Sequence, residues 1–99
     1  MNILPLINQI FELSNKLDHD YPKQYERQIQ RIFNFFDAND YVIKNPLNEP
    51  YQESRTDIEA NIVGSKKHNL VIVQVIKPII YRKLDGQLTL IQKGIVIVE

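Results

Sequence analysis

The strongest constraint on the fold is a hairpin signal near the end of the chain, where Asp85-Gly86 lies between two apolar segments. An Asp-Gly pair favours the two-residue type I′ turn, because both central positions of that turn need a positive φ. Two strands alone are only marginally stable in water, so the remaining residues are expected to cover or complete this sheet. The pairs predicted across the hairpin are Leu84 with Gln87, Tyr81 with Leu90, and Ile80 with Ile91.

Two residues interrupt the arms of this hairpin. Pro78 has no backbone N–H to donate, so we expect an edge, a bend or a change of sheet at that position. Gly94 in the returning arm indicates a bulge or a close backbone approach. Beyond these two residues, segments 70–77 and 94–98 are rich in β-branched side chains and predict further strands.

The first forty residues predict two antiparallel helices. Apolar side chains recur every three or four residues over 3–17 and over 22–37, and the connection between the segments is short. The apolar faces are broad, so they are covered either by the sheet or, as we favour, by a second copy of the hairpin in a dimeric four-helix bundle. The predicted dimer contacts are Ile3, Ile7, Ile10, Phe11, Ile29, Ile32, Phe33 and Phe36.

The middle of the chain completes the predicted fold class. Residues 41–43 predict a short strand, and the two prolines and two asparagines in 45–50 predict a loop. Residues 56–63 alternate between apolar and polar side chains, which is typical of a half-buried antiparallel strand. The expected fold is α+β, with a helical hairpin over residues 1–40 and a small, mostly antiparallel β-domain over residues 41–99.

Composition excludes several function classes. Twelve acidic and twelve basic residues cancel to a formal net charge of zero, which argues against general binding to nucleic acids or anionic membranes. The chain has no cysteine, which removes disulfides and thiolate chemistry and fits a reducing compartment. The first residues lack the features of a signal peptide, and no apolar run approaches the roughly 20 residues of a membrane span. We therefore expect a soluble cytoplasmic protein.

No pattern of residues indicates catalysis. Asp57 and Glu59 stand two apart on a predicted strand and could serve as an acid and a base, but nothing supplies a cleft around them. His19 and His68 both lie in polar turns without further metal ligands nearby. We therefore expect a non-catalytic protein without a cofactor, and a small hydrolase built on Asp57 and Glu59 is the least favoured alternative.

Short segments of the second half carry a resemblance to a known family. Residues 90–98, LIQKGIVIV, are similar to a closing strand of the form Val-Leu-Arg-Pro-Ala-x-Val-x-Val, and residues 73–76, VQVI, resemble Val-x-Val-Leu. Tyr81 resembles the tyrosine of a Gly-Tyr pair, and Asp57 or Glu59-Ala60 matches part of His-Glu-Ala. Two further features agree with these motifs: residues 41–43 form a predicted strand after two helices, and Tyr51 is aromatic. In this combination the chain resembles the C-terminal half of the GrpE family.

The GrpE family comprises the nucleotide exchange factors of DnaK-type chaperones. The resemblance implies a dimer whose β-domain binds the chaperone's nucleotide domain in an open form and thereby weakens ADP binding. The family's Phe-Asp-Pro reads Tyr51-Gln52-Glu53 here, its Arg-Pro-Ala reads Gln92-Lys93-Gly94, and its long N-terminal helical stalk has no counterpart. These departures motivate the alternative of a dimeric adaptor without exchange activity. The residues that the resemblance places at the partner are Tyr51, Arg55, Tyr81, Arg82, Gln92 and Lys93.

Overall fold

The computed structural model describes residues 2–99 and contains two helices followed by six strands. This arrangement confirms the α+β class. The elements are α1 (Leu4–Asp20), α2 (Glu26–Ala38), β1 (Tyr41–Lys44), β2 (Ile58–Ile62), β3 (Ile72–Lys77), β4 (Ile79–Leu84), β5 (Gln87–Gln92) and β6 (Gly94–Val98).

The connection between the helices differs from the prediction. The α1 helix continues to Asp20, and the N–H of Tyr21 still donates to Leu17 O at 2.7 Å. Lys23 then adopts a φ of 65°, in the left-handed region, which a right-handed helix cannot include. The predicted start of the second helix at residue 22 is therefore wrong, and α2 begins only at Glu26.

The six strands form two three-stranded sheets. The first sheet has the order β1-β4-β5 and is antiparallel throughout, whereas the second has the order β2-β6-β3. In the second sheet β6 runs antiparallel to β3 but parallel to β2. The prediction of an antiparallel strand over 56–63 is wrong in direction, because alternation of side chains specifies a half-buried face but not the direction of the neighbouring strand.

The hairpin between β4 and β5 follows the prediction over most of its length. Asp85 and Gly86 have φ values of 51° and 77°, the sign that a type I′ turn requires. The predicted pairing is confirmed as far as Tyr81 and Leu90. A register shift between Ile80 and Tyr81 then places Ile80 opposite Gln92, so its predicted pairing with Ile91 is wrong.

The chain changes sheet at two adjacent points. Pro78 separates β3 in the second sheet from β4 in the first, which confirms the predicted change of sheet. Gly94 lies at the return crossing, where an added Cβ would stand 2.9 Å from Ile79 Cγ1 and 3.3 Å from Ile58 Cγ2. The predicted close approach at Gly94 is therefore confirmed, and both strands of one long ribbon pass from one sheet to the other here.

The segment predicted as a loop over 45–50 partly pairs with β3. The N–H groups of Asn48 and Tyr51 donate to Ile72 O and Leu70 O, both at 2.8 Å, and Ile72 N–H donates to Glu49 O at 2.9 Å. These hydrogen bonds cover the outer edge at the start of β3, where exposed backbone groups would otherwise need water.

Two clusters of buried apolar side chains hold the helices against the sheets. Ile7 and Phe36 meet Ile80 of the first sheet, and Phe11 packs into the cluster formed mainly by the second sheet. Three side chains of the predicted dimer interface, Ile7, Phe11 and Phe36, are thus buried within the protomer. The sequence left two ways to cover the helices, the sheet or a second copy. For these three side chains the sheet covers them.

Candidate protein-binding surface

Two carboxylates hold the guanidinium of Arg55. Its Nε and Nη2 donate to the two carboxylate oxygens of Asp57, each at 3.0 Å, and its Nη1 donates to Glu49 Oε1 at 3.1 Å. Paired hydrogen bonds of this kind between arginine and a carboxylate are both strong and directional. Arg55 therefore fastens the loop between β1 and β2 to the residue that precedes β2.

These contacts shift the pKa values of both partners. The hydrogen bonds from Arg55 lower the pKa of Asp57 below its ordinary value against the opposing effect of burial, and the charge of Lys44 lowers it further. The hydrogen bond to Asp57 raises the pKa of Arg55 in turn. Because each charged form is stabilised by the other, Asp57 remains a carboxylate throughout the neutral pH range.

Lys44 connects this pair to Tyr81. Its Nζ lies 5.7 Å from the centroid of the Tyr81 ring, within the range of a cation–π contact. The positive charge of Lys44 also lowers the pKa of Asp57, and the Tyr81 ring is half-buried. We call this set of residues the clamp surface: Lys44, Glu49, Arg55, Asp57 and Tyr81.

Arg82 lies on the other face of the first sheet. It follows Tyr81 on β4, and successive side chains of a strand point to opposite faces. Its guanidinium carbon lies 5.1 Å from the ring centroid of Tyr41, its cross-strand neighbour on β1. The residues predicted to bind one partner therefore divide between two faces, with Arg55 and Tyr81 on one and Arg82 on the other.

Gln92 and Lys93 lie at the corner between the sheets. The Gln92 side chain donates to Asn8 Oδ1 at 2.8 Å and to Pro78 O at 2.9 Å, and it accepts from Asn8 Nδ2 at 2.9 Å. Gln92 thus links α1 to the crossing point of the ribbon. Lys93 is exposed between β5 and β6 and forms no ion pair among residues 2–99.

Tyr51 lies in the same loop as Arg55. Its ring is half-buried against the cluster of the second sheet, while its N–H donates to Leu70 O. Glu49, which holds Arg55, is hydrogen-bonded through its backbone to the same strand region. The loop is therefore anchored at both Tyr51 and Arg55 and presents its polar side chains in a defined arrangement.

Exposed apolar side chains on the helices mark a second surface, which the sequence-based set of contacts omitted. Leu6 and Leu13 on α1 are 53% and 47% exposed, and Phe35 on α2 is 63% exposed. Leu6 and Leu13 stand seven residues apart and so share a face of α1 with Ile10 between them. That seven-residue spacing is the sequence signal from which this exposed face could have been predicted. The α1 helix has apolar residues on most sides, however, so the sequence does not show which side faces the sheet.

The helices also enclose a groove of about 530 Å³ beside the end of β1. Its apolar lining includes Phe11, Ile29 and Phe33, and its rim is polar, with Asp18 and Lys23 among the charged groups. Two residues of the predicted dimer interface, Ile29 and Phe33, therefore line this groove. The remaining residues of that set, Ile3, Ile10 and Ile32, pack against the cluster around Ile80.

The residues considered for catalysis do not form a common site with the histidines. Asp57 is paired with Arg55, whereas Glu59 is exposed on β2. His19 contacts its neighbour Asp20 on the surface of α1. Across residues 2–99, no group of three or more histidine, aspartate or glutamate side chains has an arrangement that could hold a metal ion.

Neither α1 nor α2, the helices found in residues 2–99, is long and apolar enough to cross a membrane. Comparison of the chain with models of protein families, with curated proteins and with solved structures gave no match. The clamp surface is accordingly the arrangement from which a function can be argued, together with the motifs of residues 73–98.

Proposed function

We propose that the chain is a GrpE-like nucleotide exchange factor of the cytoplasm. It is a non-catalytic protein that binds the nucleotide domain of a DnaK-type chaperone through its β-domain and promotes release of ADP. The proposal rests on the resemblance of residues 73–98 to the closing strands of that family. The structure adds one supporting observation, a rigid surface of charged and aromatic side chains around Arg55.

The clamp surface suits protein binding for a physical reason. Arg55, Asp57 and Glu49 already hold one another, so a partner does not have to order them on binding. Tyr81 adds an aromatic ring that is only half-buried, and aromatic and arginine side chains are enriched at interfaces. An exchange factor needs a higher affinity for the open than for the closed nucleotide domain, and a rigid surface can provide that difference.

Release of labelled ADP from the chaperone tests the proposal. We expect the protein to accelerate release, and Lys44→Glu to weaken that effect because it reverses a charge on the clamp surface. Arg82→Glu reverses a charge on the opposite face and shows whether that face also contributes. Lys16→Glu, an exposed change on α1, serves as the control. No acceleration with any DnaK-type chaperone of the same cell contradicts the proposal.

A non-catalytic adaptor of the same fold is the second candidate, and a specific observation favours it. One of the six residues that the resemblance places at the partner, Gln92, is engaged in hydrogen bonds to Asn8 and Pro78 within the chain. Chaperone binding without faster ADP release distinguishes this adaptor from an exchange factor. The same assay therefore separates both candidates.

The proposal includes a homodimer in which two copies of the chain pair through their helices. The exposed Leu6, Leu13 and Phe35 support this pairing, because a partner copy would remove apolar surface that the protomer leaves in water. Phe35→Asp should shift sedimentation equilibrium towards the monomer of 11.7 kDa without unfolding the protein, since Phe35 is exposed in the protomer. A wild-type protein that stays monomeric at high micromolar concentration rules this pairing out.

A further inference from the structure

Among residues 2–99, one edge of β2 has no partner strand. The N–H of Gly94 donates to Asp57 O and the N–H of Val63 donates to Val98 O, each at 3.0 Å, and within this part of the chain β2 pairs only with β6. In a parallel ladder, alternate residues of one strand bond to the same neighbour. The backbone N–H and C=O groups of residues 57, 59, 61 and 63 therefore point towards β6. Those of Ile58, Ala60 and Ile62 point to the open edge.

The residues of this edge are complementary to themselves. The sequence Ile58-Glu59-Ala60-Asn61-Ile62 is symmetric in character about Ala60, with isoleucine at both ends and polar side chains between. In an antiparallel pair with its two-fold axis at Ala60, Ile58 lies opposite Ile62 of the second copy, and Glu59 lies opposite Asn61. No like charges then stand opposite each other, which is a requirement for stable cross-strand pairing.

The open backbone groups fit the same register. Ile58, Ala60 and Ile62 carry the outward groups, and these three residues oppose one another when the axis passes through Ala60. Each opposed pair is consequently a hydrogen-bonded pair of an antiparallel ladder, and a shift by one residue would lose this match. Backbone hydrogen bonding also admits the registers with the axis at residue 59 or 61, and side-chain pairing favours the axis at Ala60, since an axis at residue 59 would place Glu59 opposite Glu59.

Exposure and charge around the edge favour the same arrangement. Ile62, the last residue of β2, is 50% exposed, and Val63, which follows it, is 40% exposed. Residues 52–57, directly before β2, carry two carboxylates and one guanidinium, whereas residues 63–69, after it, carry two lysines. Antiparallel pairing brings the acidic end of one copy beside the basic end of the other, so the charges attract.

We propose that β2 is a self-recognition edge at which a second copy of this chain adds its own β2 in antiparallel orientation, with the two-fold axis at Ala60. The two second sheets then form one six-stranded sheet across the axis. This interface uses no residue of the helices, so it is independent of the helical pairing proposed above. A closed two-fold contact of this kind is isologous.

Single cysteines test the register, because the chain has none of its own. Hydrogen-bonded antiparallel partners have Cα atoms about 5.5 Å apart, within the range that a disulfide spans. Ala60→Cys in the full chain should therefore form a disulfide-linked dimer under mild oxidation. The two copies of residue 62 would lie about 14 Å apart along the strands, so Ile62→Cys should cross-link at least about tenfold more slowly.

Exposure makes this comparison decisive. Ile62 is more exposed than the half-buried Ala60, so random collision would cross-link Ile62→Cys faster. Equal rates, or a faster reaction of Ile62→Cys, overturn the proposal, and so does an Ala60→Cys protein that stays folded and monomeric. The comparison is repeated with Phe35→Asp in both variants, and loss of the difference there would assign the cross-link to helical pairing instead.

A second variant keeps the proposal testable if Ala60→Cys unfolds. Ile62→Lys places a charge opposite Ile58 of the second copy, while its side chain reaches solvent in the protomer. In sedimentation equilibrium of the Phe35→Asp protein, we expect Ile62→Lys to weaken the residual self-association at least about tenfold. Unchanged association overturns the proposal. Leu88→Lys, at an equally exposed apolar residue on β5, is the matched control.

Discussion

The two sheets share one ribbon yet differ in how they are assembled. In the first sheet, β4 and β5 are joined by a two-residue turn, and β1 pairs with β4 in an unbroken antiparallel register. In the second sheet, β6 receives a parallel neighbour from far earlier in the chain, and its pairing with β3 has two register shifts. The β4–β5 pairing keeps one register from the turn to Tyr81 and shifts once at Ile80, whereas β3 and β6, farther from that turn, shift twice. The register is thus regular next to the turn and irregular farther from it.

This difference has a physical basis in chain connectivity. A tight turn sets the register of the residues next to it, and little loop-closure entropy is lost in forming it. In contrast, β2 must be held in place by its own contacts, and the Arg55 clamp directly before it supplies several of these. The following changes test how far the two sheets behave as separate units.

Truncating one buried side chain in each sheet should have the largest effect. Ile80 and Ile72 are both fully buried, in the first and second sheet respectively. Ile80→Ala and Ile72→Ala should each lower the free energy of unfolding by about 2–5 kcal/mol. Urea denaturation followed by circular dichroism measures the loss, and hydrogen exchange shows whether both sheets lose protection together. Protection lost in only one sheet would show that the two sheets unfold separately.

The crossing point at Gly94 should be nearly as sensitive. Gly94→Ala adds a Cβ that would lie 2.9 Å from Ile79 Cγ1, so the crossing of the ribbon must shift. We expect a loss of about 1–3 kcal/mol in the free energy of unfolding. Lys93→Ala is the neighbouring control, since Lys93 is exposed. Equal melting temperatures of the two variants would show that the space around Gly94 accommodates a Cβ, which contradicts the prediction.

The turn of the first sheet should show a smaller, local effect. Gly86→Val places a β-branched side chain at a φ of 77°, which only glycine adopts without steric cost. The expected loss is about 1–2 kcal/mol. Thermal denaturation measures it, and Gln87→Val beside the turn is the control because β5 favours β-branched residues. A melting temperature equal to that of the wild type would argue against a type I′ turn.

The clamp before β2 should contribute the smallest effect, visible as a dependence on pH. Arg55 lowers the pKa of Asp57 in the folded state, so the stabilisation is present above the unfolded pKa of Asp57 and is lost as the pH falls through its lower folded pKa. We expect less than about 1 kcal/mol, because the pair is partly exposed. Asp57→Asn should remove this acid-dependent part of the unfolding free energy, and an unchanged acid limb would contradict the assignment.

Prediction from the sequence succeeded where neighbouring residues decide the outcome. The positive φ at Asp85 and Gly86, the change of sheet at Pro78 and the close approach at Gly94 each depend on the stereochemistry of one or two residues. The same reasoning failed at Lys23, whose left-handed φ nothing in its own chemistry indicated. It also failed at Ile80, where a register shift of one residue between β4 and β5 places Gln92 opposite Ile80 in place of Ile91.

The candidate site was predictable only residue by residue. The motifs pointed to Arg55, Tyr81 and Arg82, but they could not show that Tyr81 and Arg82 point to opposite faces of one strand within a covered sheet. Nor could they show that the side chains of Arg55 and Gln92 form hydrogen bonds within the chain. The Gln92 contact joins residues far apart in sequence, Asn8 and Gln92, whereas the partners of Arg55 lie two and six residues away.

The sequence by itself determined the two helices, the tight turn and the points at which the ribbon bends, because local backbone preferences set these features. The tertiary structure alone decided the parallel direction of β2, the pairing of residues 48–51 with β3, and which apolar helix residues are buried. These outcomes depend on competition among distant segments for the same edges and faces. An alternating strand or an apolar helix can satisfy several partners equally well until the whole chain is packed.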